Sequence, residues 1–131
     1  MTMRWIAAAV LLTSTVVLSA HESSAVFTAE QATAGKSAYA RSCASCHMPD
    51  LSGSNDAPPL AGPVFTATWR ARTTKDLFEY LSTSMPPGGS SLSTEGFETI
   101  MAYILEANGA PAGETPFRAT TAVSIESLIG R

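Results

Sequence analysis

Apolar residues repeat at helical spacing near the end of the chain. They occupy positions i, i+3, i+4, i+7 and i+8 and would form one buried helix face: Phe97, Ile100, Met101, Ile104 and Leu105. Ser93 can cap such a helix, Gly109 would end it, and Pro111 would prevent its continuation. The pattern therefore predicts a helix from about Thr94 to Ala107.

Two earlier segments show helical periodicity over shorter stretches. Residues 28–42 begin with Thr28 and Gln31, which have the spacing of a capping box, and their small residues would let another helix approach closely. Residues 74–82 place three apolar side chains on one face: Leu77, Phe78 and Leu81. No segment alternates apolar and polar residues for long enough to predict a strand. We therefore expect an all-α fold with three main helices.

Two long segments between these helices are rich in glycine and proline. Residues 48–63 and residues 85–92 should be loops, and loops of this length usually serve a function. Residues 110–131 contain apolar residues but have no pattern that places them in the fold. Three short helices would be only marginally stable on their own, so we expect a cofactor to complete the core.

The start of the chain has the composition of a secretory signal. Arg4 precedes an apolar run from Trp5 to Ala20, and small residues offer cleavage sites after Ala20 and after Ala25. The run is short for a membrane span, although an uncleaved anchor is the alternative. We expect a signal peptide at residues 1–25, one domain at 26–110 and a C-terminal extension of unknown role at 111–131. No span would remain after cleavage, and the location would be periplasmic.

The charge of the chain is mildly acidic. Eight Lys and Arg residues face eleven Asp and Glu residues, which gives a net charge of −3. A nucleic-acid binder would show a basic surface, so this class of partner is not expected.

Cys43, Cys46 and His47 form the most informative motif, C-x-x-C-H. Two thiols three residues apart lie on one side of a helical turn, so both can form thioethers with the two vinyl groups of one haem. His47 follows directly and can bind the iron. This spacing is a strong signal for a single, covalently attached haem c.

Other uses of the two cysteines are less favoured. A disulfide between Cys43 and Cys46 would close a very small loop and stabilise little. A thioredoxin-like redox pair would need a βαβ context, which the pattern lacks, and a structural zinc site usually needs four ligands.

Met85 is the candidate for the second axial ligand of the iron. After export His47 would be the only histidine left, because His21 precedes or sits inside the second cleavage site and would be N-terminal even if it were retained. Met48 is adjacent to His47 and cannot reach the opposite face of the same haem, while Met101 lies on the apolar stripe. Met85 stands at the start of a Pro/Gly loop. The alternative is that Met85 is an ordinary loop residue and the sixth iron position is open.

Several motifs together resemble the class I c-type cytochromes. They are C-x-x-C-H after a small-residue helix, Pro58-Pro59-Leu60, Met85-Pro86 and the closing helix with Ala102-Tyr103-Ile104-Leu105. The resemblance covers residues 28–109 and implies a small class I cytochrome c fold, with long loops around a covalent haem. The short methionine loop and the Asn108-Gly109 ending look like the haem subunits and domains that accompany periplasmic dehydrogenases.

The resemblance also implies supporting residues around the haem. The carbonyl of Pro59 matches the group that accepts a hydrogen bond from the haem-binding histidine, although Pro59 could be an ordinary turn proline. Trp69 and Arg70, together with Arg72, are candidates to bind the haem propionates. The alternative for these three is a solvated stretch before a helix.

The expected function is electron transfer rather than catalysis. With His47 and Met85 both bound to iron, no position would remain for a substrate. The partners would be a periplasmic dehydrogenase as donor and an oxidase or another cytochrome as acceptor. Two alternatives stay open at this point: a haem enzyme or gas sensor with a labile sixth site, and a haem subunit docked permanently on a dehydrogenase with residues 110–131 as its tether.

Overall fold

A computed structural model describes residues 25–130. The predicted signal peptide therefore lies outside the described residues except for Ala25. The described part contains six helices and no strand: α1 (Ala29–Ser42), α2 (Ala44–His47), α3 (Pro63–Trp69), α4 (Thr74–Ser84), α5 (Thr94–Ala107) and α6 (Ile125–Ile129). The fold is all-α, as predicted. Within residues 25–130 none of these helices combines the length and the apolar character that a membrane crossing requires.

Helices α1 and α5 cross at close range and form the centre of the core. The backbone of Gly35 lies against α5, where a Cβ atom would stand 1.8 Å from the carbonyl oxygen of Thr99. Tyr39 and Tyr103 contact each other beside this crossing, with ring centroids 5.3 Å apart. All five residues of the predicted α5 stripe are buried. The predicted buried face of α5 and the predicted close approach of another helix to α1 are therefore confirmed.

The N-terminus of α1 differs from the predicted capping box in one respect. The hydroxyl of Thr28 accepts a hydrogen bond from the N–H of Gln31 at 3.2 Å. The Gln31 side chain does not return to Thr28; it donates to the carbonyl of Phe117 at 2.9 Å and accepts from the N–H of Phe117 at 2.7 Å. Gln31 thus joins α1 to the end of the chain.

Helix α3 was missed by the sequence analysis, which treated residues up to Pro63 as loop. Pro63 is the first residue of this helix, where the missing N–H costs nothing because no carbonyl precedes it in the helix. Helix α4 follows after a short link and has a complete capping box formed by Thr73 and Asp76. Its apolar face is buried as predicted.

Residues 110–130, here called the C-terminal strap, run across α1, α4 and α5. The N–H of Gly113 donates to the carbonyl of Phe27 at 2.8 Å, which joins the two ends of the described chain. Phe117 is fully buried, and its ring lies 6.1 Å from that of Phe78 in α4. The short helix α6 buries Ile125 and Leu128 at the end of the strap.

A buried carboxylate fixes the middle of the C-terminal strap. Glu98 of α5 accepts hydrogen bonds from the N–H of Ala119 at 2.8 Å and from the guanidinium of Arg118 at 3.3 Å. The side chain of Glu98 is 8% exposed whereas that of Arg118 is 61% exposed. Without the strap, the buried Glu98 carboxylate would have no partner for its charge. These bonds therefore hold the strap to α5.

Candidate cofactor site

Cys43 lies between α1 and α2, and Cys46 lies within α2. Cys43 ends α1, and its N–H donates to the carbonyl of Tyr39 at 2.8 Å. The N–H groups of Cys46 and His47 both donate to the carbonyl of Cys43, at 3.2 and 3.0 Å. Both thiols are free, with Cys43 half-buried and Cys46 exposed. The predicted helical turn is therefore present.

His47 is oriented by a backbone carbonyl. Its Nδ1 lies 2.8 Å from the carbonyl oxygen of Pro58. A carbonyl can only accept a hydrogen bond, so Nδ1 carries the proton and Nε2 keeps the lone pair that a metal ion needs. His47 is buried, with 8% of its surface exposed.

The sequence analysis predicted that the carbonyl of Pro59 accepts the hydrogen bond from His47. In the structure the accepting carbonyl belongs to Pro58. The register of the loop explains the difference. Gly53 donates to the carbonyl of His47 at 3.0 Å, and Leu60 donates to the carbonyl of Leu51 at 2.9 Å, which aligns Pro58 with the imidazole. Pro59 still contributes to the site as a lining residue of the cavity described below.

Tyr39 holds the chain where it turns back after His47. Met48 has a φ of 67°, and its carbonyl accepts a hydrogen bond from the Tyr39 hydroxyl at 2.7 Å. Burial, and to a lesser extent the neighbouring Cys43, raise the pKa of Tyr39 well above its usual range. Tyr39 thus stays protonated and fixes the backbone next to His47.

One cavity of about 350 Å³ brings the predicted site residues together. Cys43, Cys46, His47 and Met85 all line it. The rest of the wall is largely apolar and includes Leu60, Val64, Phe65, Leu77, Leu81 and Ile104. This volume and lining are typical of a cofactor site. Burial first, and then the neighbouring Cys46, raise the pKa of the Cys43 thiol.

Among the methionines of residues 25–130, Met85 is the one that lines this cavity. It caps the C-terminus of α4, where its N–H donates to the carbonyl of Leu81 at 3.1 Å. Met101 is fully buried in the core and does not line the cavity, and neither does the exposed Met48. The placement agrees with the elimination made from the sequence.

The three predicted propionate-binding residues separate into two groups. Trp69 and Arg72 line the cavity, and the Arg72 guanidinium lies 5.3 Å from the centroid of the Trp69 ring. Arg70 does not line it; its guanidinium pairs with Glu126 of the C-terminal strap. The structure therefore does not bring Arg70 to the cavity with the other two residues, because its side chain pairs with the strap.

Arg72 dominates the charge of this site. Among the described lining residues it is the only permanent cation, and no carboxylate lines the wall. A ligand with an apolar body and negatively charged groups at one edge fits this distribution.

The donor set and the cavity fit a haem better than a bare metal ion. Within residues 25–130 no three His, Cys, Asp or Glu side chains converge on a point where they could hold a metal. The two thiols, one imidazole with its Nδ1 proton fixed and one thioether instead surround an apolar space. These groups match the two vinyl substituents and the two axial positions of a haem.

Most of the apolar wall was missed by the sequence analysis. Helix α3 contributes Val64, Phe65 and Thr68, and α4 contributes Tyr80 beside Trp69, with ring centroids 5.4 Å apart. The available signal was the sequence Pro63-Val64-Phe65, in which a proline precedes two apolar residues.

The fold and this site define a class I c-type cytochrome. The family model described as "Cytochrome C oxidase, cbb3-type, subunit III" matches residues 30–104, and the chain belongs to this family. The crystal structure of the sulfane dehydrogenase SoxCD from Paracoccus pantotrophus is similar, with a TM-score of 0.53 and 26% sequence identity. The match covers 91% of this chain and 65% of that chain. No curated protein sequence gives a match. The protein is thus a c-type haem electron carrier.

Proposed function

We propose that the protein is a periplasmic one-electron carrier with a single haem c bonded covalently to Cys43 and Cys46. The observation that carries the proposal is the shared cavity, which both thiols, His47 and Met85 line. The sequence contains two cysteines in total, which is enough for one such attachment. When bound, the haem supplies reversible one-electron exchange between ferrous and ferric iron.

His47 and Met85 would hold the iron. The hydrogen bond from His47 Nδ1 to Pro58 fixes the imidazole ring and makes Nε2 a more basic ligand. The Met85 thioether is a soft ligand that favours ferrous iron and raises the potential. Two protein ligands leave no position for a substrate, which supports a carrier rather than an enzyme.

Export to the periplasm supports covalent attachment. The predicted signal at residues 1–25 supplies a route out of the cytoplasm, to the compartment where haem and reduced thiols would be joined. Cys46 is exposed and Cys43 is half-buried, so both thiols can be reached before the cavity is filled.

The electron donor is proposed to be a periplasmic dehydrogenase. The similarity to the sulfane dehydrogenase SoxCD supports this class of partner, either as a transient donor or as an enzyme on which the protein docks permanently. An oxidase or another cytochrome would accept the electron. Co-purification of a dehydrogenase with the tagged full chain would favour permanent docking.

Extraction of the haem tests the central proposal. The full chain is expressed with its export segment and treated with acidic acetone, which removes non-covalent haem. We expect the haem to remain on the wild type, to extract from the Cys43→Ala/Cys46→Ala variant, and to remain on the Ser45→Ala control. Deletion of residues 1–20 should give colourless cytoplasmic protein. Free extraction from the wild type, or red cytoplasmic protein, would contradict the proposal.

A further inference from the structure

The C-terminal strap forms backbone hydrogen bonds with the short link between α3 and α4, residues 70–73. The N–H of Glu126 donates to the carbonyl of Arg70 at 3.1 Å. The N–H of Ile125 donates to the carbonyl of Arg72 at 3.0 Å. The Glu126 carboxylate also pairs with the Arg70 guanidinium. The strap therefore fixes the backbone of the link at two points, Arg70 and Arg72.

Thr74 connects the same strap to the first residue of α4. Its side chain is fully buried, and its hydroxyl donates to the carbonyl of Thr121 at 2.6 Å. The same hydroxyl accepts from the N–H of Val123 at 3.1 Å, and the Thr74 N–H donates to the Val123 carbonyl at 2.9 Å. A single buried residue therefore holds residues 121–123 of the strap against the end of the link.

The link carries the one permanent cation of the described cavity wall. Arg72 lies over the ring of Trp69, and Trp69 in turn contacts Tyr80. A cation–π contact at an exposed position is weak and would not by itself hold a flexible arginine side chain in one place. The position of Arg72 therefore depends on the backbone of the link, and through it on the strap.

We propose that the C-terminal strap positions Arg72 and Trp69 against the haem and thereby raises its midpoint potential, with Thr74 as the positioning residue. This inference rests on the haem-binding function proposed above. A positive charge beside a redox group favours the state with less positive charge, which here is ferrous iron. Movement of Arg72 away from the cavity should therefore lower the potential.

A double-mutant cycle on the haem-loaded full chain tests the inference. Thr74→Val keeps the shape of the side chain but leaves the Thr121 carbonyl and the Val123 N–H without their partner. Midpoint potentials are measured by redox titration for the wild type, Thr74→Val, Arg72→Gln and the double variant. Thr99→Val is the matched control, since the Thr99 hydroxyl bonds within α5 and does not contact the strap.

We expect Thr74→Val and Arg72→Gln both to lower the potential, and the double variant to match Arg72→Gln alone. Such non-additivity shows that Thr74 acts through Arg72. The Thr99→Val control should keep the wild-type potential. A Thr74→Val protein that is less stable to urea but has the wild-type potential would make Thr74 purely structural and overturn the inference. Additive shifts would overturn it too.

A second variant guards against failure of Thr74→Val to fold. Ile125→Ala shortens the buried side chain next to the N–H that donates to Arg72, and should lower the potential in the wild-type background but not with Arg72→Gln. An unchanged potential in Ile125→Ala would overturn the inference. Absence of covalent haem from the wild type would instead overturn the proposed function itself, so the two failures are distinguishable.

Discussion

The backbone of Gly35 in α1 lies directly against the carbonyl group of Thr99 in α5. A Cβ atom at Gly35 would stand 1.8 Å from that oxygen and 2.5 Å from its carbon, which is far inside van der Waals contact. The neighbouring atoms belong to a helix backbone and cannot move aside. The two central helices can therefore cross at this distance only with glycine at position 35.

Gly35→Ala should destabilise the protein by about 3 kcal/mol or more, since the clash must separate α1 from α5. Urea unfolding of the haem-loaded protein measures the change. Ser37→Ala on the exposed side of the same helix is the control and should stay within about 0.5 kcal/mol of the wild type. A Gly35→Ala protein as stable as this control would show that the crossing is not tight.

Met85→Ala should keep the covalent haem but remove one iron ligand. We expect loss of the weak far-red absorption band of a methionine–ferric iron bond, a lower midpoint potential, and ready binding of cyanide or carbon monoxide. Met101→Ala should behave differently, because Met101 is a core residue: stability should fall by about 2–5 kcal/mol with the band retained.

The paired methionine variants also distinguish the alternatives for the sixth position. If Met101→Ala removes the band and Met85→Ala does not, the ligand assignment is wrong. If the wild type itself shows no such band, the sixth position is open or filled by a partner, and a haem enzyme or gas sensor becomes the better interpretation.

Gly53→Ala should disturb the hydrogen bond that orients His47. Gly53 has a φ of 74°, and a Cβ there would lie 2.7 Å from the carbonyl carbon of Pro58. A weaker bond makes His47 a less basic ligand, so the midpoint potential should rise. Gly88→Ala is the control: its φ is 92° but nothing lies within 4 Å, so about 1 kcal/mol of backbone strain is expected without a change in potential. Equal potentials in both variants would contradict this account.

Tyr39→Phe should change how stability depends on alkaline pH. At pH 7 the loss of the hydrogen bond to Met48 should cost about 1–2 kcal/mol. The raised pKa of Tyr39 means that the unfolded chain ionises first, near pH 10, and the wild type then loses stability as the pH rises further. The difference between wild type and variant should therefore shrink above about pH 10 in urea unfolding series. A constant difference would show that Tyr39 does not titrate in this range.

The features that could be predicted from sequence are those with a local signature. The apolar stripe of α5, the C-x-x-C-H turn and the position of Met85 next to a Pro/Gly loop each depend on residues close together in the chain. The sequence alone was therefore enough to predict the helix bundle and to select four residues that line one cavity, Cys43, Cys46, His47 and Met85.

The features that were missed depend on backbone geometry or on distant contacts. A carbonyl has no sequence signature, so nothing in Pro58-Pro59 indicates which of the two accepts the hydrogen bond from His47. Arg70 and Arg72 are two residues apart and chemically identical, and only the pairing of Arg70 with Glu126, 56 residues away, separates their roles. Outside the short helix α6, the C-terminal strap has no helical periodicity because its residues bury themselves against elements formed by the rest of the chain.

The bond between Gln31 and Phe117 joins residues 86 positions apart. When the exported chain folds, α1 and the cysteine-bearing turn need only contacts between residues close in sequence, so they can form before the strap docks. Until then Gln31, Thr74 and Glu98 lack their partners, and the walls of the cavity are held only by local contacts. A bulky planar group can therefore enter before residues 110–130 dock, and the strap then closes the structure around it.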